Sequence, residues 1–330
     1  MRVMDKQKRT PMNNSSISLN NDINNGINIG IIGLGAIGCL FRSQIPSNAN
    51  VYALPRNSAL KEVDFQLDDQ YQSTQYTTPV WQNEPLDVVV VCCKATQSLA
   101  ALDLWKKAIS QDCQIVLLQN GMGQQELVAA QYPHNPLFAA STTEGAYKKS
   151  SQHIIHAGQG ITQWGYFSGG CFSGSYFSEG KLTQEGYPTL KLDINTLKGE
   201  HKWHPNIEEV LFAKLAVNAV INPLTVKHDC KNGILINDPV INRELEALCE
   251  ETQNLYTAMS WPLAFDLTER VKSIANLTAE NVSSMLQDVR SMRETEIDFI
   301  TGYLITKAQL IDYELPNHLA LFKSIKSRQA

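Results

Sequence analysis

The sequence predicts an α/β Rossmann-type amino-terminal domain followed by an all-α carboxyl-terminal domain. Short β-branched stretches alternate with helical segments through the first part of the chain. A glycine-rich turn follows the first of these stretches, and from Pro205 onward apolar residues recur with helical periodicity. The chain has 330 residues, a length that favours two domains. We therefore expect a dinucleotide-binding domain over 27–204 and a helical substrate and catalytic domain over 205–330.

The predicted strands are short, nearly continuous apolar runs, as expected of parallel strands that are buried on both faces. They are INIGII from residue 27, NVYALPR at 50–56, LDVVVVCCKAT at 86–96 and CQIVLLQNG at 113–121. Helical segments of about 10 to 15 residues fit between them, which predicts a doubly wound parallel sheet. Residues 137–165 predict further strands that close the domain. The stretch 165–200 is rich in Gly, Ser, Tyr and Phe, and we expect loops and short strands there.

The second domain has several helical segments with recognisable start signals. Asp238 before Pro239 is typical of an N-cap followed by proline at the first helical position. Thr278, with Glu280 after it, predicts the start of a long helix that runs on through TEIDFITGYLITKAQL.

Composition and charge exclude several classes of protein. The net charge is −5 and the pI is about 5.8, so no overall basic field exists to hold nucleic acid or an anionic membrane. No uninterrupted apolar run approaches the roughly 20 residues that span a bilayer. Residues 1–26 are rich in Asn and Ser, lack the apolar segment of a secretory signal, and predict a disordered polar tail. A soluble, cytoplasmic protein follows from these features.

The cysteine pattern predicts neither disulfides nor a metal site. The chain has seven cysteines, an odd number, and none forms a CxxC motif or a Cys/His ligand spacing. Cys92 and Cys93 lie inside an apolar run, where a thiol usually serves as a small core residue. We therefore expect a reducing compartment and no structural metal.

A glycine motif after the first strand predicts dinucleotide binding. Gly33, Gly35 and Gly38 form G-x-G-x-x-G between an apolar run and a helical segment. In that context the glycines permit a tight turn, a close approach of the pyrophosphate and close packing of helix on strand. The helix amino terminus adds free N–H groups and a positive dipole end. The predicted phosphate-binding residues are Gly33, Leu34, Gly35, Ala36, Ile37 and Gly38.

The end of the second predicted strand indicates which dinucleotide binds. An NAD-dependent enzyme usually has an acidic residue there, whereas this chain has Arg56, 18 residues past Gly38. A cation at this position suits the 2′-phosphate of NADPH, although a solvated surface arginine without a ligand would give the same sequence pattern. Lys94 and Asn120 each follow an apolar strand, at the edge where open α/β sheets bind ligands. Either of these two could instead be an ordinary loop residue.

A polar stripe on a very apolar helix predicts the reaction centre. Lys214, Asn218 and Asn222 stand at i, i+4 and i+8, within an arc of about 80° on a helix. They suit the binding of a small oxygen-rich acid, and a polar stripe at a domain interface is the structural alternative. Hydride transfer to a ketone leaves an alkoxide, which a lysine ammonium can protonate. Glu296 could hold that ammonium, or it could be one more exposed carboxylate.

The chain resembles the ketopantoate reductase family over about residues 27–325. The segments that carry the resemblance are GLGAIG, LQNGMG, STTEGA, IIHAGQGIT, KLAVNAVINPLT, CKNG, ENVSSMLQDVR and TEIDFITGYL. The resemblance implies NADPH-dependent reduction of 2-dehydropantoate to (R)-pantoate, a step toward pantothenate and coenzyme A. The polar tail and a longer 165–200 stretch depart from the family pattern.

The resemblance also implies roles for individual residues. Lys214 would be the general acid, and Glu296 the acidic partner near substrate and cofactor. Further residues lining the NADPH site would be Arg56, Lys94, Asn120 and Ala146. The substrate contacts would be Asn120, Lys214, Asn218, Asn222, Asn232, Asn281 and Ser284. Ser284 also follows Asn281 by three residues, which on a helix gives both the same face.

Two alternatives remain open. A reductase of the same fold could act on another 2-keto or 3-hydroxy acid, and the set Asn232, Asn281, Ser284 and Glu296 argues against it because it suits a hydroxylated keto acid. A non-catalytic NADP(H) sensor would need the glycines but not Lys214 and Glu296. In each case the partner is a small molecule rather than nucleic acid or a membrane. A homodimer is the assembly we consider, although the sequence does not fix the oligomeric state.

Overall fold

The computed structural model describes residues 26–168 and 188–328. The predicted polar tail lies outside the described residues except for Gly26. Within the 165–200 stretch, residues 169–187 also lie outside them, and Cys171 is among these.

Both predicted layers are present, an α/β part followed by a helical part. The strands are β1 (Asn28–Ile32), β2 (Asn50–Leu54), β3 (Glu62–Asp68), β4 (Ser73–Pro79), β5 (Val88–Val91), β6 (Gln114–Leu117), β7 (Leu137–Thr142), β8 (Gly145–Lys148), β9 (His153–Gly158), β10 (Ile161–Tyr166) and β11 (Glu200–Trp203). The helices are α1 (Ala36–Gln44), α2 (Ser98–Leu104), α3 (Gln124–Gln131), α4 (Ile207–His228), α5 (Ile234–Asn237), α6 (Pro239–Ala258), α7 (Leu267–Leu277), α8 (Ser284–Arg290), α9 (Thr301–Gln309) and α10 (Pro316–Lys326). The predicted fold class is confirmed.

The main sheet of the described chain has seven strands in the order β11-β10-β7-β6-β5-β1-β2. Neighbours from β2 to β7 are parallel, and β10 runs antiparallel to β7. Val88 and Val90 of β5 pack into one hydrophobic cluster and Val89 and Val91 into another. This alternation explains why the strand is apolar at every position: both of its faces are covered.

A second sheet, with the order β4-β3-β9-β8, corrects the expectation of a helix between the second and third predicted strands. Residues 62–79 form β3 and β4, an antiparallel hairpin in which apolar and polar residues alternate. The carboxylate of Asp69 fixes the turn by accepting the backbone N–H groups of Tyr71 and Gln72 at 2.7 and 2.8 Å. Phe65 and Leu67 of this sheet pack on α1, so the sheet covers the helix that follows the glycine turn.

The carboxyl-terminal part is helical, as predicted, and α4 is its central element. α4 packs against α6, α7, α8 and α10, and its amino-terminal half also contacts β7 and β10. It is the one described helix that is long and apolar enough to cross a membrane, but 72% of the relevant window is buried inside the protein. Its composition is therefore that of a core helix in a soluble protein. At the start of α6, Asp238 accepts the N–H groups of Val240 and Ile241, which confirms the predicted N-cap.

The long helix predicted from Thr278 is wrong. Thr278 is the C-cap of α7, and α8 begins only at Ser284, after the N-cap Ser283 accepts the N–H of Leu286. α8 ends at Arg290, and Met292 has a positive φ of 52°, which interrupts the helix before α9. Asn281 precedes the N-cap, so Asn281 and Ser284 do not share a helical face. The predicted domain limits at 204 and 205 stay predictions; β11 ends at Trp203 and α4 begins at Ile207.

Candidate active site

The glycine motif forms a tight turn between β1 and α1. Gly33 has a φ of 87°, and a Cβ there would lie 2.5 Å from the backbone nitrogen of Cys93. A Cβ on Gly38 would lie 2.1 Å from the carbonyl oxygen of Gly33. Neither position can accept a larger residue without displacing backbone, so the strand, the turn and the helix are held in close contact.

Gly35 differs from its neighbours in facing open space. No atom lies within 4 Å of where its Cβ would be, and it is the N-cap of α1 without any side-chain cap. The first turn of α1 contains no acidic residue. Its exposed N–H groups and the positive end of the helix dipole therefore face a space with neither steric nor electrostatic hindrance to an anion. Leu34, Ala36 and Ile37 complete a turn that fits a dinucleotide pyrophosphate.

Arg56 follows β2, the strand that pairs with β1 next to the glycine turn. In the register of β1 and β2, Ile32 pairs with Leu54, so Gly33 and Arg56 both follow the carboxyl ends of neighbouring strands. Arg56 is exposed and forms no ion pair with a described residue. The loop before it is anchored, because the indole N–H of Trp105 donates to the carbonyl oxygen of Pro55 at 3.1 Å. A phosphate bound here would not compete with a protein carboxylate.

Ala146 lies in β8 of the second sheet, on the other side of α1 from the main sheet. It packs with Ala36 against the cluster that includes Cys39 and Leu40. Ala146 is therefore close to the start of α1.

Lys94 and Asn120, at the ends of β5 and β6, both contact the 288–296 segment of the helical part. The ammonium of Lys94 forms an ion pair with Asp288 at 2.8 Å and donates to the carbonyl oxygen of Glu294. The amide of Asn120 donates to Glu296 Oε2 at 3.4 Å. The strand ends and the helical part therefore meet where the ligand crevice of an open α/β sheet is expected.

Glu296 is held from two directions at this junction. Its Oε1 accepts the backbone N–H of Ala95 at 3.1 Å, while Oε2 accepts the amide of Asn120. Burial raises the pKa of Glu296, although the hydrogen bonds from Ala95 and Asn120 and the charge of Lys94 oppose the change. The sequence alternative of an exposed carboxylate does not describe Glu296, but it does describe its exposed neighbour Glu294.

Lys214 projects from α4 toward the main sheet. Its ammonium donates to the carbonyl oxygen of Thr142, the last residue of β7, at 2.7 Å. Burial lowers the pKa of Lys214 to about 8, and the charge of Glu296 acts in the opposite direction. A lysine with this pKa is protonated at neutral pH and can release its proton more readily than a solvated lysine.

The two amides of the polar stripe have no hydrogen-bond partner among the described residues. Asn218, one helical turn beyond Lys214, is partly buried, and Asn222, two turns beyond it, is 7% exposed. Neither amide is among the buried polar atoms that lack a partner, so water or a ligand can reach both groups. This distinguishes the stripe from a domain interface whose polar groups are paired.

Asn232, Asn281 and Ser284, the other predicted substrate contacts, lie beyond the carboxyl end of α4. The backbone N–H of Asn232 donates to the carbonyl oxygen of Asn281 at 3.1 Å, and its amide donates to the hydroxyl of Thr278 at 2.9 Å. The side-chain oxygen of Asn232 is buried without a partner, while Asn281 and Ser284 are exposed. Thr225 of α4 and Ser283 share a buried hydrogen bond of 2.6 Å, which joins the segment before α8 to α4.

The structure thus brings Lys94, Asn120 and Glu296 together and places Lys214 at the same domain junction. Arg56 and Ala146 lie near the glycine turn instead, in the part of the site that is predicted to bind the cofactor. Sequence reasoning missed Thr142 and Asp288, which contact the two lysines. Thr142 acts through its backbone carbonyl, so no residue type could have signalled it. No cluster of metal-ligating side chains occurs within residues 26–168 and 188–328.

Comparison with known proteins gives a family for both parts of the chain. Residues 29–169 match the family described as ketopantoate reductase PanE/ApbA, and residues 206–329 match its carboxyl-terminal domain. The 2-dehydropantoate 2-reductase of Vibrio cholerae serotype O1 is 31% identical over 309 residues, which covers 91% of this chain and 97% of that protein.

Solved structures show the same fold. The crystal structure of the probable 2-dehydropantoate 2-reductase panE from Bacillus subtilis has a TM-score of 0.75 at 26% identity, covering 92% of this chain and 100% of that one. D-mandelate dehydrogenase, in a ternary complex with NADH and anilino(oxo)acetate, has a TM-score of 0.77 at 18% identity, covering 92% and 98%. The second likeness concerns the fold alone. On the family matches and the relative from Vibrio cholerae, the chain belongs to the ketopantoate reductase family of oxidoreductases.

Proposed function

We propose that this protein reduces 2-dehydropantoate to (R)-pantoate with NADPH, the reaction that leads toward pantothenate and coenzyme A. The observation that carries the proposal is Lys214, an ammonium of lowered pKa held at the domain junction beside two unpaired amides. A 2-keto acid with a hydroxyl group offers the oxygen atoms that such amides can bind. The sequence relatives named 2-dehydropantoate 2-reductase support the choice of substrate.

The residues divide the work in a defined way. The glycine turn binds the pyrophosphate, and Arg56 binds the 2′-phosphate that distinguishes NADPH from NADH. Once bound, the nicotinamide supplies the hydride. Asn120 and Glu296 lie where the strand ends meet the helical part, and they orient the groups around the reacting carbonyl. Asn218, Asn222, Asn232, Asn281 and Ser284 bind the carboxylate and hydroxyl oxygens of the substrate.

Lys214 donates the proton to the carbonyl oxygen that becomes the alcohol. Its ammonium has three N–H donors, one of which is directed to Thr142, so the others are free for the substrate oxygen. Positive charge next to that oxygen stabilises the negative charge that develops on it. Glu296 supports the charged form of Lys214, because its charge raises a pKa that burial lowers.

A reductase of another 2-keto acid is the second candidate. The amides of Asn218 and Asn222 have no hydrogen-bond partner in the described part of the chain, so they could also bind the oxygen atoms of another keto acid. The polar residues on α4 argue for a hydroxylated aliphatic acid rather than an aromatic one, because an aryl group would leave Asn218 and Asn222 unpaired.

The test is NADPH oxidation at 340 nm with purified protein and 2-dehydropantoate, with NADH and an aryl 2-keto acid run in parallel. Turnover with NADPH and 2-dehydropantoate, and at least tenfold lower kcat/KM for NADH, is the expected result. A preference for the aryl acid would favour the second candidate. NADPH binding with no turnover on any keto acid would favour the sensor. We further propose that the protein is a homodimer and is located in the cytoplasm. Light scattering of the purified protein tests the dimer.

A further inference from the structure

Two segments of chain cross between the sheets next to the carbonyl that accepts Lys214. The first leaves the main sheet at Thr142 and enters the second sheet at Gly145. The other returns from Gly158 to Ile161, and Thr142 pairs with Thr162 where both segments join the main sheet. The position of the Thr142 carbonyl therefore depends on how these two crossing segments are held together.

Glu144 ties the crossing to two other elements. Its side chain is 5% exposed, and its Oε2 lies 2.6 Å from Nε2 of His156 in β9. Its Oε1 accepts the amide of Gln44, the last residue of α1, at 3.4 Å. One buried carboxylate thus connects the crossing segment, the second sheet and the helix that follows the glycine turn.

The segments have little freedom to shift between these ties. A Cβ on Gly160 would lie 2.4 Å from the carbonyl carbon of Thr143 and 2.6 Å from the nitrogen of Glu144. The N–H of Glu144 donates to the hydroxyl of Thr142 at 3.1 Å, and the hydroxyl of Thr162 donates to the same oxygen at 2.9 Å. A change at Glu144 is therefore transmitted to Thr142 through packed backbone and direct hydrogen bonds.

We propose that Glu144, paired with His156, is a positioning residue for Lys214, because it fixes the Thr142 carbonyl that orients the ammonium. The proposal rests on the proposed function of Lys214 as the proton donor. The effect of Glu144 on Lys214 is geometric and not electrostatic. The charge that acts on Lys214 is that of Glu296, and the hydrogen-bond partner of the Lys214 ammonium is the Thr142 carbonyl. A misplacement of about 1 Å at a reacting group can lower a rate by about 100-fold.

The experiment compares Glu144→Ala with the wild type. Loss of the carboxylate should lower kcat about 30-fold. It should change KM for NADPH less than about twofold, because Gln44, the contact of Glu144 on α1, lies at the opposite end of that helix from the glycine turn. Glu144→Gln should recover most of kcat, since its amide oxygen can still accept a hydrogen bond from His156. If Glu144→Ala does not fold, His156→Phe removes the same contact from the other side and should give the same loss.

A second readout does not depend on turnover. Lys214 in the cofactor-free protein is acetylated with acetic anhydride, and its rate of modification is followed by mass spectrometry with Lys227 as the internal reference. Release from Thr142 should make Lys214 react several-fold faster in Glu144→Ala, while Lys227, which pairs with Glu244 at 2.8 Å, is unchanged. Glu251→Ala is the matched control, because Glu251 also accepts several hydrogen bonds but joins α6 to α10 instead.

The outcomes separate the two proposals. An unchanged acetylation rate of Lys214 in folded Glu144→Ala overturns the positioning role, whatever happens to kcat. An equal fall of kcat in Glu251→Ala also overturns it, since the effect would then be general destabilisation. A wild-type protein that does not reduce 2-dehydropantoate refutes the proposed function, while the acetylation rates still test the link from Glu144 to Lys214.

Discussion

The glycine turn and the polar face of α4 bind different parts of the proposed ligands and are built in opposite ways. The turn consists of six consecutive residues, Gly33 to Gly38, and works mainly through backbone N–H groups and close packing. The proposed substrate side would be made of side chains from α4, the 281–284 segment and the 296 region, and its key lysine donates to a carbonyl 72 residues away. The first site is local in sequence, whereas the second exists only after the whole chain has folded.

This difference predicts different responses to substitution. A side chain that projects into a cleft can be removed with little effect on packing, so its loss should appear in kcat or KM. A glycine in a packed turn affects stability and binding together, unless its Cβ position is open. Substitutions at the two sites therefore show whether ligand binding and catalysis can be changed separately from stability.

Replacing the proton donor should have the largest effect. Lys214→Ala should lower kcat about 1,000-fold, because loss of a general acid commonly lowers a rate by about 10² to 10⁴. Affinity for NADPH, measured by fluorescence titration, should stay within about threefold. Lys227→Ala, on the same helix but exposed, is the control and should keep normal turnover. Near-normal kcat in folded Lys214→Ala would remove the proposed mechanism.

Arg56→Gln should separate the two cofactors. Loss of one charge-assisted contact with a phosphate is unfavourable by about 2 kcal/mol, which corresponds to an approximately 30-fold higher KM for NADPH. KM for NADH should not change, because NADH has no 2′-phosphate. Steady-state kinetics with both cofactors measures this, and exposed Arg243→Gln on α6 serves as the control. An equal rise for NADPH and NADH would show that Arg56 does not contact the 2′-phosphate.

Gly35→Ala tests the open side of the turn. The added methyl group meets no protein atom within 4 Å, so the stability loss should be at most about 1 kcal/mol, from the poorer N-cap. The methyl group would stand where the pyrophosphate approaches, so NADPH affinity should fall about tenfold. Gly158→Ala is an equally open control. NADPH affinity and the melting temperature are both measured. An unchanged affinity would mean that the pyrophosphate lies elsewhere.

The pH dependence should give the smallest effect, a twofold loss of kcat at pH about 8. Lys214 must be protonated to act, and burial lowers its pKa to about 8, so kcat falls as pH rises through that value. The stability contribution of this lysine has the opposite sign. Between the folded pKa and the ordinary value of 10.5, only the unfolded chain keeps the proton, so stability from this group rises with pH. A kcat that stays constant up to pH 10 would assign the proton to another group.

The sequence predicts the local features well and the assembled ones poorly. The glycine turn, the N-cap at Asp238 and the apolar α4 depend on neighbouring residues, and each is found where expected. The hairpin of β3 and β4 is not predicted, because its partly exposed residues form an alternating pattern that is weaker than the apolar runs of the parallel strands. The break after α7 is not predicted either, because Thr278 has the residue type of a helix start but is a C-cap.

Within the candidate site, residue type could suggest Lys214, Asn218 and Asn222 but not the hydrogen-bond partner of Lys214. The acceptor of Lys214 is a backbone carbonyl, and the partner of Lys94 is Asp288, one of several carboxylates in its region. Such pairs are set by the packing of α4 on the sheet and of α8 on α4. A periodic pattern gives the face of a helix that is polar, whereas tertiary structure decides what that face meets.

The nearly complete packing of α4 also limits how this enzyme can acquire a new substrate. Buried apolar residues occupy most of the helix from Leu211 to Val226. Replacing a large one with alanine would leave a cavity and lower the free energy of unfolding by about 2 to 5 kcal/mol. The positions free to vary are then Asn218 and Asn222, together with the exposed Asn281 and Ser284. A mutant library confined to these four positions should yield mostly folded proteins, whereas one spread over α4 should lose most of its members to misfolding before any selection for activity begins.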